Sequence, residues 1–235
     1  MKAKIAWVLR TFKSRDPLTM LTLWKSQILC HLDYCSQLWS PHKTGLIQSI
    51  ELLQKAYFNR IEGMYNLNYW EQLIHLKTYS LERRRERYQI IYTWRIIESQ
   101  VPNLVITPIQ SYTNERRGRL CRIAPISSAA PCYIKTIRCS SLPFRGPRLF
   151  NTLPKNIRNI SGCDTVVFKR GLDRYLASIP DQPLIPGLTQ YRRVETNSVA
   201  DWANSPYLLT QDTQRQQRKS PGAHRGQLLR DDPSR

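Results

Sequence analysis

The chain has 235 residues, of which 41% are hydrophobic and 23% are charged. These values are ordinary for a folded globular protein, so composition excludes a wholly disordered or collagen-like chain. With 36 Lys and Arg against 17 Asp and Glu, the formal net charge is +19, and nearly all of the surplus lies in residues 1–179. A folded body of this charge attracts polyanions, of which nucleic acid is the commonest in cells.

Six cysteines occur without any Cys-x-x-Cys pair. In a chain that is long enough to bury a sizeable core, this usage predicts reduced thiols and an intracellular location, nuclear or cytoplasmic. The N-terminal apolar run IAWVL is too short for a secretory signal, and no segment approaches the ~20 apolar residues of a membrane span. We therefore expect a protein that is neither secreted nor membrane-embedded.

The first part of the chain has the apolar periodicity of amphipathic helices. Asp16 followed by Pro17 predicts the start of the second helix, Pro41 its end, and Gly63 the end of the third. The predicted buried stripes are Ile5, Val8, Leu9 and Phe12 in the first helix; Leu21, Trp24, Ile28, His31, Cys35 and Leu38 in the second; and Leu46, Ile50, Leu53, Tyr57 and Ile61 in the third.

Two more helices complete this predicted helical domain, residues 1–102. The segment YWEQLIHL predicts a short helix over residues 69–76. Ser80 then predicts the N-cap of a long helix that extends to the neighbourhood of Pro102.

A second region, residues 103–180, has a different pattern. Residues 120–123 and 133–139 alternate as strands do, with turn-forming residues between them. Residues 144–154 are interrupted by Gly and Pro, so we expect no more than one helical turn there.

The last predicted helix covers residues 166–179 and has Asp164 as its N-cap. Residues 181–235 form a polar tail without periodicity, which we expect to be disordered from about residue 205 because it has too little apolar surface to bury. The expected fold is therefore mainly α, with a small β-containing C-terminal region and a disordered tail.

The segment CHLDYCSQLWSPH, residues 30–42, holds two cysteines and two histidines, as a metal site or an activated thiol would. His31 and Cys35 share one helical face, but that face is the apolar stripe, where cysteine behaves as a small hydrophobic residue. Structural zinc sites usually have ligands paired at short fixed spacing, and no second pair follows. The pattern favours a packed core helix over metal binding or catalysis.

Several segments carry a family resemblance through their order and spacing: TFKSRDPLTMLTLWKS, HLDYCSQLWSP, GLIQSIELLQKAYFNRI, NYWEQLIHLKTYSLERRRERYQIIYTWRI, FRGPRLFNTLPKNIR and FKRGLDRYLASIPDQP. Together they resemble the region after the polymerase palm in reverse transcriptases of non-LTR retrotransposons, of the jockey and related types, over about residues 1–205. The resemblance implies a helical thumb followed by a C-terminal extension. Gln27 and Cys30 depart from residues typical of the family, which would make the second helix more continuous here.

Reverse transcription requires metal ions held by aspartates. The single Asp-Asp pair, Asp231–Asp232, lies in the polar tail without flanking strands. The chain also has no GxSxG motif, no HExxH motif and no glycine-rich phosphate loop. We therefore expect no catalysis by this chain alone, and neither a cofactor nor a metal.

The expected partner is the backbone of an RNA or DNA duplex, bound without sequence preference. The long helix begins with a cluster of arginines, and positive charge near a helix N-terminus interacts unfavourably with the helix dipole. This suggests a compensating contact between the arginines and phosphate. The alternative is that the start of the helix is simply solvated. The residues expected to bind the backbone are Arg83, Arg84, Arg87, Lys55, Arg60, Arg116, Arg117, Arg119, Arg145 and Arg148.

Two further partners follow from the resemblance. The missing polymerase palm would cover part of the helical unit, and without it the uncovered apolar surface would favour self-association. The alternative hypothesis is a co-opted, stand-alone nucleic-acid-binding or protein-interaction scaffold.

Overall fold

The structure is a computed structural model that describes residues 1–41, 43–102, 120–121, 131–181 and 198–200. Across these ranges the chain is mainly helical and contains no extended strand. The helices are α1 Lys2–Thr11, α2 Pro17–Leu23, a π-helical segment Trp24–Leu29, α3 Cys30–Asp33, α4 Ser36–Trp39, α5 Thr44–Phe58, α6 Tyr69–His75, α7 Leu81–Ile97, α8 Cys132–Ser140, α9 Leu142–Thr152, α10 Lys155–Arg158 and α11 Thr165–Ala177.

The predicted helix starts follow local capping chemistry. The Asp16 carboxylate accepts a hydrogen bond from the backbone N–H of Thr19 at 3.0 Å, and the Ser80 hydroxyl accepts one from Arg83 at 3.1 Å. Both bonds satisfy N–H groups that have no partner within the first helical turn. These two N-caps are confirmed. The predicted end of the third helix at Gly63 is wrong, because α5 ends at Phe58 with Asn59 as its C-cap; Gly63, with a φ of +78°, lies in the turn that follows.

Two hydrophobic cores meet in α7. The N-terminal core includes Trp24 and Tyr57, whose ring centroids lie 5.0 Å apart. The C-terminal core includes Trp94 and Phe168, which stack at 4.6 Å. Since α7 supplies Leu81 to the first core and Trp94 to the second, it links the two halves, and it packs against α4, α5, α9 and α11.

The predicted apolar stripe of the second helix is wrong beyond Ile28. The π-helical segment Trp24–Leu29 holds an extra residue per turn, so every later side chain is displaced by about one position around the axis. Leu32 is therefore buried in the N-terminal core, while His31 is exposed and its imidazole contacts the ammonium of Lys4.

The second helix is also less continuous than expected. It breaks at Cys35, which adopts a left-handed conformation with φ of 49° and is exposed. Leu38, predicted to be buried, is 84% exposed. Cys35 is thus a surface thiol rather than a core residue, and Cys30 is exposed as well. No cluster of His, Cys, Asp or Glu in the described part of the chain could hold a metal ion.

The predicted strand over residues 133–139 is wrong, because this segment forms α8, Cys132–Ser140. Its short apolar run fits both periods, and such runs are ambiguous from sequence. Tyr133 and Ile137, four residues apart, lie on one exposed face of the helix.

The expectation of a single helical turn in residues 144–154 is also wrong. Helix α9, Leu142–Thr152, continues through Pro147. Gly146 and Pro147 are buried, and Gly146 lies so close to Thr93 of α7 that a Cβ would collide with the Thr93 hydroxyl. Tertiary packing against α7 therefore outweighs the loss of one backbone hydrogen bond at proline.

The final helix is confirmed as α11, with Phe168, Leu172 and Leu176 fully buried. Residues 103–119, the remainder of the predicted 120–123 strand, and the tail from residue 201 lie outside the described residues. Residues 198–200, within the predicted tail, pack on the C-terminal core through Val199 and Ala200. Within the described ranges, no helix is long and apolar enough to cross a bilayer.

Candidate nucleic-acid interface

Four arginines at the start of α7, Arg83, Arg84, Arg85 and Arg87, form what we term the arginine cluster. Arg83 is completely buried, with Nη2 donating to the carbonyl oxygen of Pro180 at 2.9 Å and Nη1 donating to that of Ile179 at 3.3 Å. Its Nε lies 3.9 Å from Oδ1 of Asp181. Arg83 therefore binds the residues that follow α11 and is inaccessible to a phosphate.

Arg84 and Arg87 pair with carboxylates on different elements. Arg84 Nε donates to Asp33 Oδ2 at 2.8 Å, and Arg87 donates from Nε and Nη2 to the two oxygens of Asp173 at 2.5 and 2.8 Å. Tyr88 lies between them, with its ring centroid 5.5 Å from one guanidinium and 5.8 Å from the other. The hydrogen bond to Asp173 raises the pKa of Arg87. These bidentate geometries connect α7 to α3 and α11.

Glu51 of α5 supplies the acidic partner at the N-terminus of α7. Its carboxylate accepts hydrogen bonds from the backbone N–H of Leu81 at 3.2 Å and of Glu82 at 2.6 Å, and from the Tyr69 hydroxyl at 2.5 Å. Arg85 lies 4.0 Å away. A carboxylate at this position is favourable toward the helix dipole, which offsets the basic start of α7. Burial nevertheless raises the pKa of Glu51 above its ordinary value.

The compensating contact expected for the arginine cluster is therefore made within the protein. The predicted phosphate-binding role of Arg83 is not supported, because its guanidinium is buried and bonded to backbone carbonyls. Arg84 and Arg87 are half-buried and already bound to carboxylates. Their partners lie on α3 and α11, far away in sequence, so the pattern ERRRER could not reveal them.

This internal pairing changes the surface charge. Of eleven acidic residues in the described ranges, seven are buried or half-buried, leaving four that are exposed. Five of those seven pair with arginines, namely Asp33, Glu51, Glu86, Asp173 and Asp181. Fifteen Lys and Arg side chains in the same ranges are exposed: Lys2, Arg10, Lys13, Lys25, Lys43, Lys55, Arg60, Lys77, Arg95, Arg138, Arg148, Lys155, Lys169, Arg170 and Arg174.

Arg145 and Arg148 project from α9 into an open cleft of about 470 Å³ between α7, α8 and α9. Lys135 of α8 lines the same cleft. Arg148 is exposed, whereas Arg145 is half-buried with Nη2 lying 3.8 Å from Oε1 of Glu86. The cleft therefore brings three basic side chains together with the buried carboxylates of Glu82 and Glu86.

The other predicted residues lie elsewhere. Lys55 is exposed on α5 and Arg60 is exposed two residues beyond its end, so both are accessible to a phosphate backbone. Arg116, Arg117 and Arg119 lie outside the described residues.

Sequence reasoning missed two basic side chains of α8, Lys135 and Arg138. They went unnoticed because the segment was predicted to be a strand. A helical period would have revealed the face formed by Cys132, Lys135, Thr136 and Cys139, all of which line the cleft.

Comparisons with protein-family models, with curated proteins and with solved structures find no match to this chain. The resemblance to non-LTR retrotransposon reverse transcriptases therefore stays an expectation that depends on the order and spacing of the segments in this sequence.

Proposed function

We propose that this chain is a non-catalytic unit that binds nucleic acid through its phosphate backbone, equivalent to the thumb and C-terminal extension of a non-LTR retrotransposon reverse transcriptase. The observation that carries the proposal is the division of charge: acidic side chains pair inside the fold, while fifteen basic side chains stay exposed against four acidic ones in the described ranges. The proposed family is inferred from the resemblance of the sequence segments, taken in their order along the chain.

Contacts of this kind are insensitive to base sequence. Lysine and arginine on several helices reach phosphate oxygens, and each neutralised phosphate releases condensed counterions. If about six phosphates are neutralised, the logarithm of the association constant should fall with the logarithm of salt concentration at a slope of about −4 to −5.

Binding of a labelled RNA–DNA hybrid, measured by fluorescence anisotropy over a range of salt concentrations, tests the proposal. Three charge-reversal variants probe the separate basic groups: Lys55→Glu with Arg60→Glu at the C-terminal end of α5, Arg148→Glu on α9, and Lys169→Glu with Arg170→Glu and Arg174→Glu on α11. At least one should weaken binding about tenfold or more and reduce the salt slope.

The matched control for the α11 variant exchanges Lys and Arg at the same three positions, which preserves the charge and should preserve affinity. Salt-independent binding, or unchanged affinity in all three charge-reversal variants, would contradict the proposal. Primer extension on an RNA template with the purified chain tests the absence of catalysis, since nucleotide incorporation would show an active site of its own.

A second candidate is a co-opted protein-interaction scaffold, which the large apolar side chains exposed on α4 and α5 favour. Leu38 is 84% exposed, Leu46 is 53% exposed and Leu52 is 59% exposed. A folded chain that fails to bind any nucleic acid at low salt would favour this candidate.

A further inference from the structure

An apolar groove runs between α1 and α5. Two adjoining clefts of about 430 and 490 Å³ share Lys2, Ser49 and Leu53 in their walls, so they form one continuous depression. Along α5 the groove extends from Leu46 to Ala56, and Arg60, two residues beyond the helix, lines its far end. At 1.5 Å per residue the span on α5 corresponds to about 15 Å, or about three helical turns.

The groove arises because the apolar surface of α5 is only partly covered. Tyr57 and Phe58, at the C-terminal end of the helix, are buried in the N-terminal core. Leu46, which lies on the same helical stripe as Tyr57, is 53% exposed, and Leu52 is 59% exposed. Leu46 and Leu52 lie in the walls of the two adjoining clefts, so they belong to one depression rather than being scattered singly over the surface.

The shape of the groove fits a helix. Ala6 of α1, together with Ser49 and Ala56 of α5, places small side chains along its length. Larger side chains, Trp39 and Leu46, form its walls at one end. A trough of this length accepts the i, i+3, i+4 and i+7 side chains of an amphipathic helix.

The charge of the groove indicates which kind of partner it would bind. Lys2 and Arg60 line it, and none of the described lining residues is acidic. A symmetric dimer formed through this face would bring the Lys2 and Arg60 of both copies into one interface, and each copy carries a formal net charge of +19. A phosphate backbone gains nothing from an apolar trough, whereas an acidic helix gains both apolar burial and charge complementarity.

We infer that the groove between α1 and α5 binds an amphipathic helix of a partner protein, with apolar side chains filling the trough and acidic residues facing Lys2 and Arg60. This interaction surface is separate from the nucleic-acid contacts of α9 and α11. Lys2 and Arg60 line the groove and are also among the exposed basic side chains from which nucleic-acid binding is proposed.

The probe is a fluorescein-labelled helical peptide of about 16 residues, with leucines at i, i+3, i+4, i+7 and i+11 and glutamates on either side of that stripe. Anisotropy titration of the full chain should show saturable binding. A peptide of the same composition with scrambled leucines, and one with lysines in place of the glutamates, should each bind at least tenfold more weakly.

Leu52→Glu places a charge in the trough and should weaken binding of the glutamate peptide about tenfold or more. Leu18→Glu is the matched control, because Leu18 is 76% exposed on α2 and does not line the groove. Lys2→Glu combined with Arg60→Glu should reverse the preference toward the lysine peptide. Circular dichroism establishes that each variant is folded.

Equal binding of the scrambled and striped peptides, or binding unaffected by Leu52→Glu, would overturn the inference. A chain that sediments as a dimer and becomes monomeric on Leu52→Glu would also overturn it, because the occupant would be a second copy. Leu52→Ser removes the apolar side chain without adding charge beside Lys55, so it should weaken peptide binding and leave hybrid binding unchanged. Failure of this inference is therefore distinguishable from failure of the proposed function.

Discussion

Arg83 at the start of α7 donates a hydrogen bond from Nη2 to the backbone carbonyl oxygen of Pro180, 97 residues further along the chain, at 2.9 Å. The same guanidinium reaches Ile179, and Asp181 in turn accepts hydrogen bonds from the backbone N–H and the hydroxyl of Ser80, at 2.7 and 2.8 Å. The residues that follow α11 are thereby held against the N-terminus of α7. An arginine that sequence reasoning assigned to phosphate instead stabilises the fold.

Replacing Arg83 with Met should lower the free energy of unfolding by about 3 kcal/mol, because it leaves Asp181 and two carbonyl oxygens without this donor. Urea denaturation followed by circular dichroism measures the change. Arg174→Met is the matched control, since Arg174 is exposed on α11, and it should cost less than about 0.5 kcal/mol. Equal costs for the two variants would contradict a stabilising role for Arg83.

The displacement of side chains by the π-helical segment predicts opposite outcomes at neighbouring positions. Leu32→Ala should destabilise the protein by about 2–4 kcal/mol, because Leu32 is 6% exposed in the N-terminal core. His31→Ala should change stability by less than about 0.5 kcal/mol, because His31 is exposed. Thermal and urea unfolding of the two variants provide the comparison, and a larger loss for His31→Ala would indicate a regular α-helix instead.

The close approach of α9 to α7 predicts coupling between Gly146 and Thr93. Gly146→Ala should destabilise the protein by about 1–3 kcal/mol, because its Cβ would collide with the Thr93 hydroxyl. Thr93→Ala removes that oxygen, so the double variant should be more stable than the sum of the two single changes predicts. A double-mutant cycle from urea denaturation measures the coupling. Strict additivity would mean that the two helices separate to accommodate the methyl group.

Glu51 predicts a pH dependence of stability. Burial raises its pKa above the ordinary value of 4.5, so above about pH 4.5 the folded protein binds more protons at this site than the unfolded chain does. The contribution of Glu51 to stability must therefore decrease as the pH rises through that window. Glu51→Gln cannot titrate. The difference between the free energies of unfolding, wild type minus variant, should decrease as the pH rises, by at most about 1.4 kcal/mol per pH unit.

Urea denaturation of both proteins at pH steps from about 4 to 7 gives this difference directly. A difference that stays constant or grows with pH would mean that the hydrogen bonds from Tyr69 and the N-terminus of α7 hold the carboxylate ionised throughout.

The sequence by itself determined the helices whose signals are local. Asp16 and Ser80 cap helices through bonds to N–H groups three residues away, and the stripe of Phe168, Leu172 and Leu176 follows one helical period. Such signals are readable because donor, acceptor and apolar face all lie within a few residues of one another.

Only the tertiary structure decided which charges meet and where helical registers change. Arg84 pairs with Asp33, 51 residues away, and Arg87 with Asp173, 86 residues away. Partners at such separations are brought together by folding, and no spacing in the sequence records them. Likewise, α9 continues through Pro147, although local propensity predicts that a helix ends at a proline, because Gly146 packs against α7. Local hydrogen bonding therefore determined the elements, while long-range packing determined which basic side chains remain exposed to bind a polyanion.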